Sequence, residues 1–379
     1  MNWIYDNLPA GAFDRARLDA NSILLKSSLG QQHLADYANL GFVANALELS
    51  VDEALATGVS ESDLRPVAAD AFRLSRVLPR SSDALRVGIN LFRLACLAQL
   101  GDVGADIARL LKESPWPQLP SDSSDWGERV LSVVIDAWLC LYRKSGWEDL
   151  NRVQEGISRL RREQSQFEQA HLRAAPEPTK AAWGLVGLYH FSKAAEILAV
   201  YLTQGEVQGD FMVKNLLDAQ FDRAVSAAGR GQDVQLEALL RLGAAAARQM
   251  ADNSIWSVTR AVNSRVTKFV RELVHRSRQS IFEVLPPQRK TLAEQGLLGS
   301  GRRSVVVSLP TSSGKTLIAE FRILQALNQF DEELGWVAYL APTRALVCQV
   351  ARRLRRDFRA LDVSVEMATE MDPEIRTKC

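Results

Sequence analysis

At 379 residues the chain exceeds most single domains, so two domains are expected. Hydrophobic residues make up 47% and charged residues 24%, the profile of a folded globular protein and not of a disordered or fibrous one. A formal net charge of +1 excludes a whole-molecule electrostatic argument for nucleic acid or membrane, so a surface for either has to be local. The four cysteines, Cys96, Cys140, Cys348 and Cys379, lack the close spacing of zinc or redox motifs, which points to free thiols in a reducing, cytoplasmic setting. The start, MNWIYDNLPAGAF, has no basic segment followed by an apolar core. No stretch approaches the roughly 18 uninterrupted apolar residues of a membrane span, so neither secretion nor membrane insertion is expected.

From about residue 12 to 280, Leu, Ala and Arg dominate, apolar residues recur three and four apart, and β-branched alternation is scarce, which predicts helix after helix. ESPWPQLPSDSSDWG (Glu113 to Gly127) and AAPEPT (Ala174 to Thr179) carry prolines that cannot continue a helix and mark connections. Leu85 to Glu113 and Leu216 to Ala246 each have two apolar stripes around a Gly- and Asp-bearing turn, as helical hairpins do. Trp183 to Leu202 carries small residues of the sort found at close helix contacts. Spacing between these units is uneven, so an irregular bundle and a solenoid both remain open. A further helix is predicted from about Ser254 to Ser277, with Ile255, Val258, Val262, Val266, Phe269 and Leu273 on one face. Its remaining positions are basic: Arg260, Arg265, Lys268, Arg271, Arg276 and Arg278 stand against a single acidic residue, Glu272. Such a run can neutralise phosphates, though a solvated face is its commoner meaning.

The character changes from Phe282. After Pro286 and Pro287 come three short β-branched runs, SVVVSL (Ser304 to Leu309), WVAYLA (Trp336 to Ala341) and VSVEMA (Val363 to Ala368), separated by helical stretches. Strand, helix, strand, helix, strand predicts a parallel α/β sheet. The expected fold class is thus α + α/β: an all-helical domain over residues 1–280, with a break near 113–127, followed by an incomplete α/β lobe over residues 281–379.

Chemistry is concentrated in that second part. LPTSSGKT, Leu309 to Thr316, follows an apolar strand and opens a helix, the setting a phosphate-binding loop requires. Small residues let the chain wrap a phosphate closely. Backbone N–H groups from Ser312 to Thr316 can converge on it while the helix N-terminus adds partial positive charge. Thr311, Ser312, Ser313 and Gly314 form the loop, Lys315 supplies a cation for the β- and γ-phosphates, and the Thr316 hydroxyl suits a magnesium ion. Lys315 and Thr316 are therefore the expected catalytic pair, with ATP and Mg2+ as ligands. Leu309 stands where the usual pattern has Gly or Ala, a departure tolerated in Pro-Thr-rich loops. APTRALVCQ (Ala341 to Gln349) ends the next strand and starts a helix. Pro342, Thr343 and Arg344 there can meet a nucleic-acid backbone: Thr343 and the helix N–H groups donate to a phosphate, and Arg344 pairs with one bidentately. The helix continues through Arg352, Arg353, Arg355, Arg356 and Arg359, most of them read as solvated.

PTSSGKT followed by LIAEFRIL resembles motif I of superfamily 2 helicases, particularly superkiller-type and related DEAD/DEAH-like enzymes, and APTRALVCQ looks like their motif Ia. The resemblance covers roughly the last 100 residues. It implies a RecA-like lobe, an ATP-dependent helicase or translocase activity, and a DNA or RNA strand as partner. It also implies that Gln288, in LPPQRKTL upstream of the loop, resembles the Q-motif glutamine that reads the adenine edge, since an amide both donates and accepts. The family's hydrolytic acidic box, motif II, does not follow motif Ia here. Asp331-Glu332-Glu333 has no preceding apolar strand and reads as a solvated turn. The expectation is accordingly an N-terminal fragment of a larger motor, inactive in hydrolysis by itself, with strand edges exposed where an inner strand is missing. An alternative is a helical protein-interaction module, with a protein partner on the helical domain, that carries a bystander ATPase lobe.

Overall fold

The structure, a computed structural model, describes residues 3–29, 36–207, 212–259, 263–277, 279–299, 304–310, 313–329 and 335–368. It divides into two compact units, Met1–Ala251 and Asp252–Cys379.

The first unit is helical throughout its described residues. Its helices are α1 (Trp3–Asn7), α2 (Ala12–Ser28), α3 (Tyr37–Thr57), α4 (Glu61–Ser75), α5 (Ala84–Leu100) and α6 (Gly104–Glu113). After a proline-bearing connection come α7 (Trp126–Arg143), α8 (Trp147–Ala174), α9 (Pro178–Gln204), α10 (Val213–Arg230) and α11 (Val234–Asn253), whose last turn enters the second unit. Carboxylates start several of them: Asp36 accepts from the Ala38 and Asn39 N–H groups, Asp83 from Leu85, and Asp125 from Glu128 at 2.8 Å. Packing runs mainly between chain neighbours, α3 on α4, α7 on α8 and α9 on α10, with α7 also touching α5, α6 and α9.

Aromatic rings on the inward stripes of α5, α7, α9 and α10 meet in one core: Trp138 stacks on Phe191 at 5.0 Å, and Phe92 meets Phe191 edge-on at 5.5 Å. Where α5 ends, Gly101 passes so close to α4 that a Cβ there would lie 2.6 Å from the Ala69 Cα, so only glycine permits that approach. The connection after α6 is pinned by Trp116, whose Nε1 donates to Asp136 at 2.8 Å while the Arg143 guanidinium lies 3.9 Å from its ring centroid. Helix α9 is long and apolar enough to cross a membrane by length and composition, although Lys180, His190, Lys193 and Glu196 interrupt its apolar run. Its most apolar window is 61% buried within the fold, as in a core helix.

The second unit starts with α12 (Ile255–Val258) and α13 (Ser264–His275). The single helix expected from Ser254 to Ser277 is thus two. Asn263 caps the second by accepting from the Val266 N–H at 2.9 Å, a local bond that competes with helix continuation. Val262, Arg260 and Arg278 lie outside the described residues. The split at 251/252 falls earlier than the change of composition near 280 suggested, and packing gives the reason. Val266, Phe269, Val270 and Leu273 of α13 are fully buried, and Phe269 meets Phe321 at 5.3 Å and Phe358 at 5.6 Å, both later in the chain. An isolated antiparallel bridge, Ser254 to Glu283, closes the segment around α13.

Beyond it lie α14 (Pro286–Arg289), continued by a π-turn over Lys290–Glu294, then α15 (Lys315–Gln329), α16 (Arg344–Asp357) and a 3-10 turn over Arg359–Leu361. Among the described residues, the three runs predicted as strands form no ladder. Val306 is 95% exposed and Leu340 91%, so neither has the cover a parallel strand receives on both faces. A strand of a parallel sheet is stable only when it finds an edge to bond to, and among the described residues these runs find none.

Candidate nucleotide and nucleic-acid site

Of the loop expected to bind phosphate, Leu309, Pro310 and Ser313 to Thr316 are described; Thr311 and Ser312 lie outside the described residues. Ser313 is buried and its hydroxyl donates to the Pro310 carbonyl at 2.6 Å, folding the loop back on itself. Gly314 then takes φ +74°, the left-handed region, and its carbonyl accepts the Leu317 N–H at 3.0 Å as α15 begins. Lys315 occupies the first helical position and is exposed; Thr316 follows, half-buried. Both open onto a cleft of about 350 Å³ that Val305, Val307, Arg322 and Tyr339 also line.

Gln288 is buried at the end of α14 and spans two elements. Its Oε1 accepts the Leu285 N–H at 2.9 Å, and its Nε2 donates to the Gly314 carbonyl at 3.3 Å. The amide carries two donors and two acceptor lone pairs, so one of each remains for another partner. The latch depends on the absence of a side chain at 314: a Cβ there would stand 2.1 Å from the Gln288 Nε2. Gly314→Ala adds that clash to the cost of about 1–2 kcal/mol for an L-residue in the left-handed region. Faster amide exchange from Pro286 to Glu294 and over the first turn of α15 is the expected result, read by hydrogen-exchange mass spectrometry. Unchanged exchange would show that the latch does not hold the loop.

The strand-to-helix turn is set by Thr343, whose hydroxyl accepts the Leu346 N–H at 3.3 Å and caps α16. Pro342, Thr343 and Arg344 are all exposed, which leaves the N-terminus of α16 open to an anion. Among the described residues this turn and the loop each present a helix start, α16 and α15, without a hydrogen bond between them.

One group escaped the sequence reading. Glu320 of α15 and Asp357 of α16 are buried acids that share one arginine. The Arg353 Nε lies 2.7 Å from Glu320 and 3.4 Å from Asp357, and Asp357 also meets Arg276 at 3.0 Å and Arg356 at 2.8 Å. Arg353 is therefore not a solvated arginine. Burial pushes the Glu320 carboxyl up to about 7 against the pull of Arg353, with Asp357 pushing it further. Asp357 is buried too, but Arg356, Arg276 and Arg353 outweigh that and hold it below the ordinary carboxylate range. The available signal was Glu320's place among Leu317, Phe321 and Leu324, on the apolar stripe of α15.

The donor set suits an ATP phosphate: an ammonium, a hydroxyl and a helix start turned by a left-handed glycine. A magnesium ion would find the Thr316 hydroxyl and the phosphates themselves. Among the described residues no group of three or more His, Cys, Asp or Glu side chains could hold a metal.

Residues 286–378 match the DEAD/DEAH box helicase family. This part of the chain is therefore similar to a helicase domain. Two relatives carry the name ATP-dependent DNA helicase Hel308. That of Pyrococcus abyssi is 35% identical over 108 residues, 28% of this chain and 13% of the relative. That of Pyrococcus horikoshii is 33% identical over 105 residues, again 28% and 13%. The match thus spans about an eighth of the length of these helicases.

Proposed function

We propose that the second unit grips ATP-Mg2+ and one nucleic-acid strand as the front end of a RecA-like motor lobe in an ATP-dependent helicase. The observation that carries this reading is the left-handed Gly314 followed by exposed Lys315 and half-buried Thr316 at the start of α15, inside the helicase-like segment. Lys315 meets the β- and γ-phosphates and Thr316 the metal. Gln288 holds the loop through Gly314 and uses its remaining donor and acceptor on the adenine edge. Pro342, Thr343 and Arg344 take the strand's sugar-phosphate backbone at the start of α16. Single-stranded DNA is the favoured partner, because the similar proteins are named DNA helicases. We place this work in the cytoplasm, where thiols such as the free Cys96, Cys140 and Cys348 stay reduced.

The test is strand binding without nucleotide, by fluorescence anisotropy of a labelled single-stranded oligo-dT. Arg344→Ala is expected to weaken binding about 10-fold or more, the loss of a charge-assisted contact worth about 1.5–3 kcal/mol. Equal affinity in the variant would remove the turn from the strand site. A competing reading takes the helical unit as an interaction module. It is favoured by a groove of about 1030 Å³ in that unit, floored by Ile89, Leu131, Leu185 and Leu239 and edged by Glu128 and Lys180. Nucleotide affinity independent of Lys315 would hand the argument to that reading.

A further inference from the structure

The buried acids Glu320 and Asp357 have no part in gripping either ligand, yet they sit on the two helices whose N-termini do. Glu320 lies five residues beyond Lys315 on α15, and Arg353 nine beyond Arg344 on α16, or about 7 and 13 Å along the respective helix axes. Their bond crosses between the helices. Each acid is followed by a phenylalanine, Phe321 and Phe358, and both rings meet Phe269 of α13, so the same two helices are also joined by an aromatic triad. Apolar residues of similar size hold two helices together at less desolvation cost than buried ions do. What ions add is a fixed register that tolerates few alternatives.

Building on the proposed function, we propose that Glu320 and Asp357, clasped by Arg353, are positioning residues that make α15 and α16 move as one body. Nucleotide at the start of α15 and a strand at the start of α16 then raise each other's affinity. Coupling of this kind is reciprocal and commonly amounts to about fivefold or more. The charged groups facing Glu320 are Arg353 and Asp357 from α16, while Arg276, just past α13, and Arg356 act on it through Asp357. Because burial raises Glu320 in the folded clasp, its protonated form is the one the fold favours. That contribution is full below the ordinary carboxyl value of 4.5 and is lost as pH rises through about 7. Protonated, Glu320 is a neutral partner for Arg353; ionised, it adds a second buried carboxylate beside Asp357, which already has Arg276, Arg353 and Arg356.

The experiment measures the affinity of the full chain for the magnesium complex of a non-hydrolysable ATP analogue, with and without saturating oligo-dT. It is run from about pH 6 to about pH 8.5, on either side of the Glu320 transition. The wild type is expected to show coupling of about fivefold or more at the acid end, declining toward the alkaline end. Glu320→Gln, an amide that mimics the protonated acid, keeps the coupling and makes it independent of pH. Glu320→Ala brings the coupling factor close to 1 while each ligand alone binds within about twofold of wild type, a separation that a purely structural defect would not give. Both ligands binding the wild type without coupling, or Glu320→Gln retaining the wild-type pH profile, overturns the clasp whether or not Glu320→Ala folds. Failure of the wild type to bind nucleotide is a different result: it overturns the functional reading, and this inference with it.

Discussion

Lys315→Ala is expected to weaken binding of a magnesium-ATP analogue about 10- to 150-fold, the loss of one charge-assisted hydrogen bond of about 1.5–3 kcal/mol. The lysine is exposed at the first position of α15, so its removal should leave the helix and the protein's thermal transition where they were. That combination, a large loss of affinity with no loss of stability, distinguishes a ligand-gripping side chain from a structural one. Isothermal titration with the analogue, paired with differential scanning calorimetry, reads both. An affinity within about twofold of wild type would mean that the phosphates are not at this helix start.

Phe269→Ala should produce the opposite pattern, a large loss of stability and no direct contact with ligand. The ring is fully buried between Phe321 and Phe358. Truncation of such a core aromatic costs about 3–5 kcal/mol, of which the unfilled cavity is a substantial part. Hydrogen exchange should rise by the corresponding factor along α13, α15 and the Arg359–Leu361 turn together, because one side chain ties all three. Exchange confined to α13 would show that α13 is an appendage and that the second unit is held by other contacts.

The two predictions concern residues that the sequence revealed to different degrees. Lys315 is visible as a letter in a pattern: loop chemistry depends on local backbone geometry, and PTSSGKT specifies most of that geometry within a few residues. Thr343 is legible for the same reason, since an N-cap is decided by its own hydroxyl and the N–H groups of the next turn. The apolar stripe of α13 was equally plain, with Val266, Phe269 and Leu273 on one face as expected. What that stripe packs against was not. The sequence records that a face is apolar but not which distant rings meet it, and so the composition change near Phe282 masked the attachment of α13 to the later helices.

Charge misled in a related way. Arg353 stands in a run of arginines and looks solvated from its neighbours, but its partner Glu320 is 33 residues earlier. No local pattern encodes a long-range ion pair. Gln288 shows the same limit from the other side: its spacing from the loop suggested a base-reading amide, whereas the bonds to Leu285 and Gly314 give it a mechanical task as well. The β-branched runs illustrate a third limit. Val305, Val306 and Val307 have strand-forming character, yet a strand exists only where a partner edge does, and Val306 lies almost wholly exposed.

Where nucleotide phosphates sit decides whether the start of α15 is a nucleotide grip. A crystal structure of the full chain with MgADP tests this most directly. The β-phosphate is expected against the N–H groups from Gly314 to Thr316, with the Lys315 Nζ within hydrogen-bond distance and the Gln288 amide still on the Gly314 carbonyl. A nucleotide bound away from the start of α15, or a chain that crystallises from saturating MgADP with none bound, would contradict it.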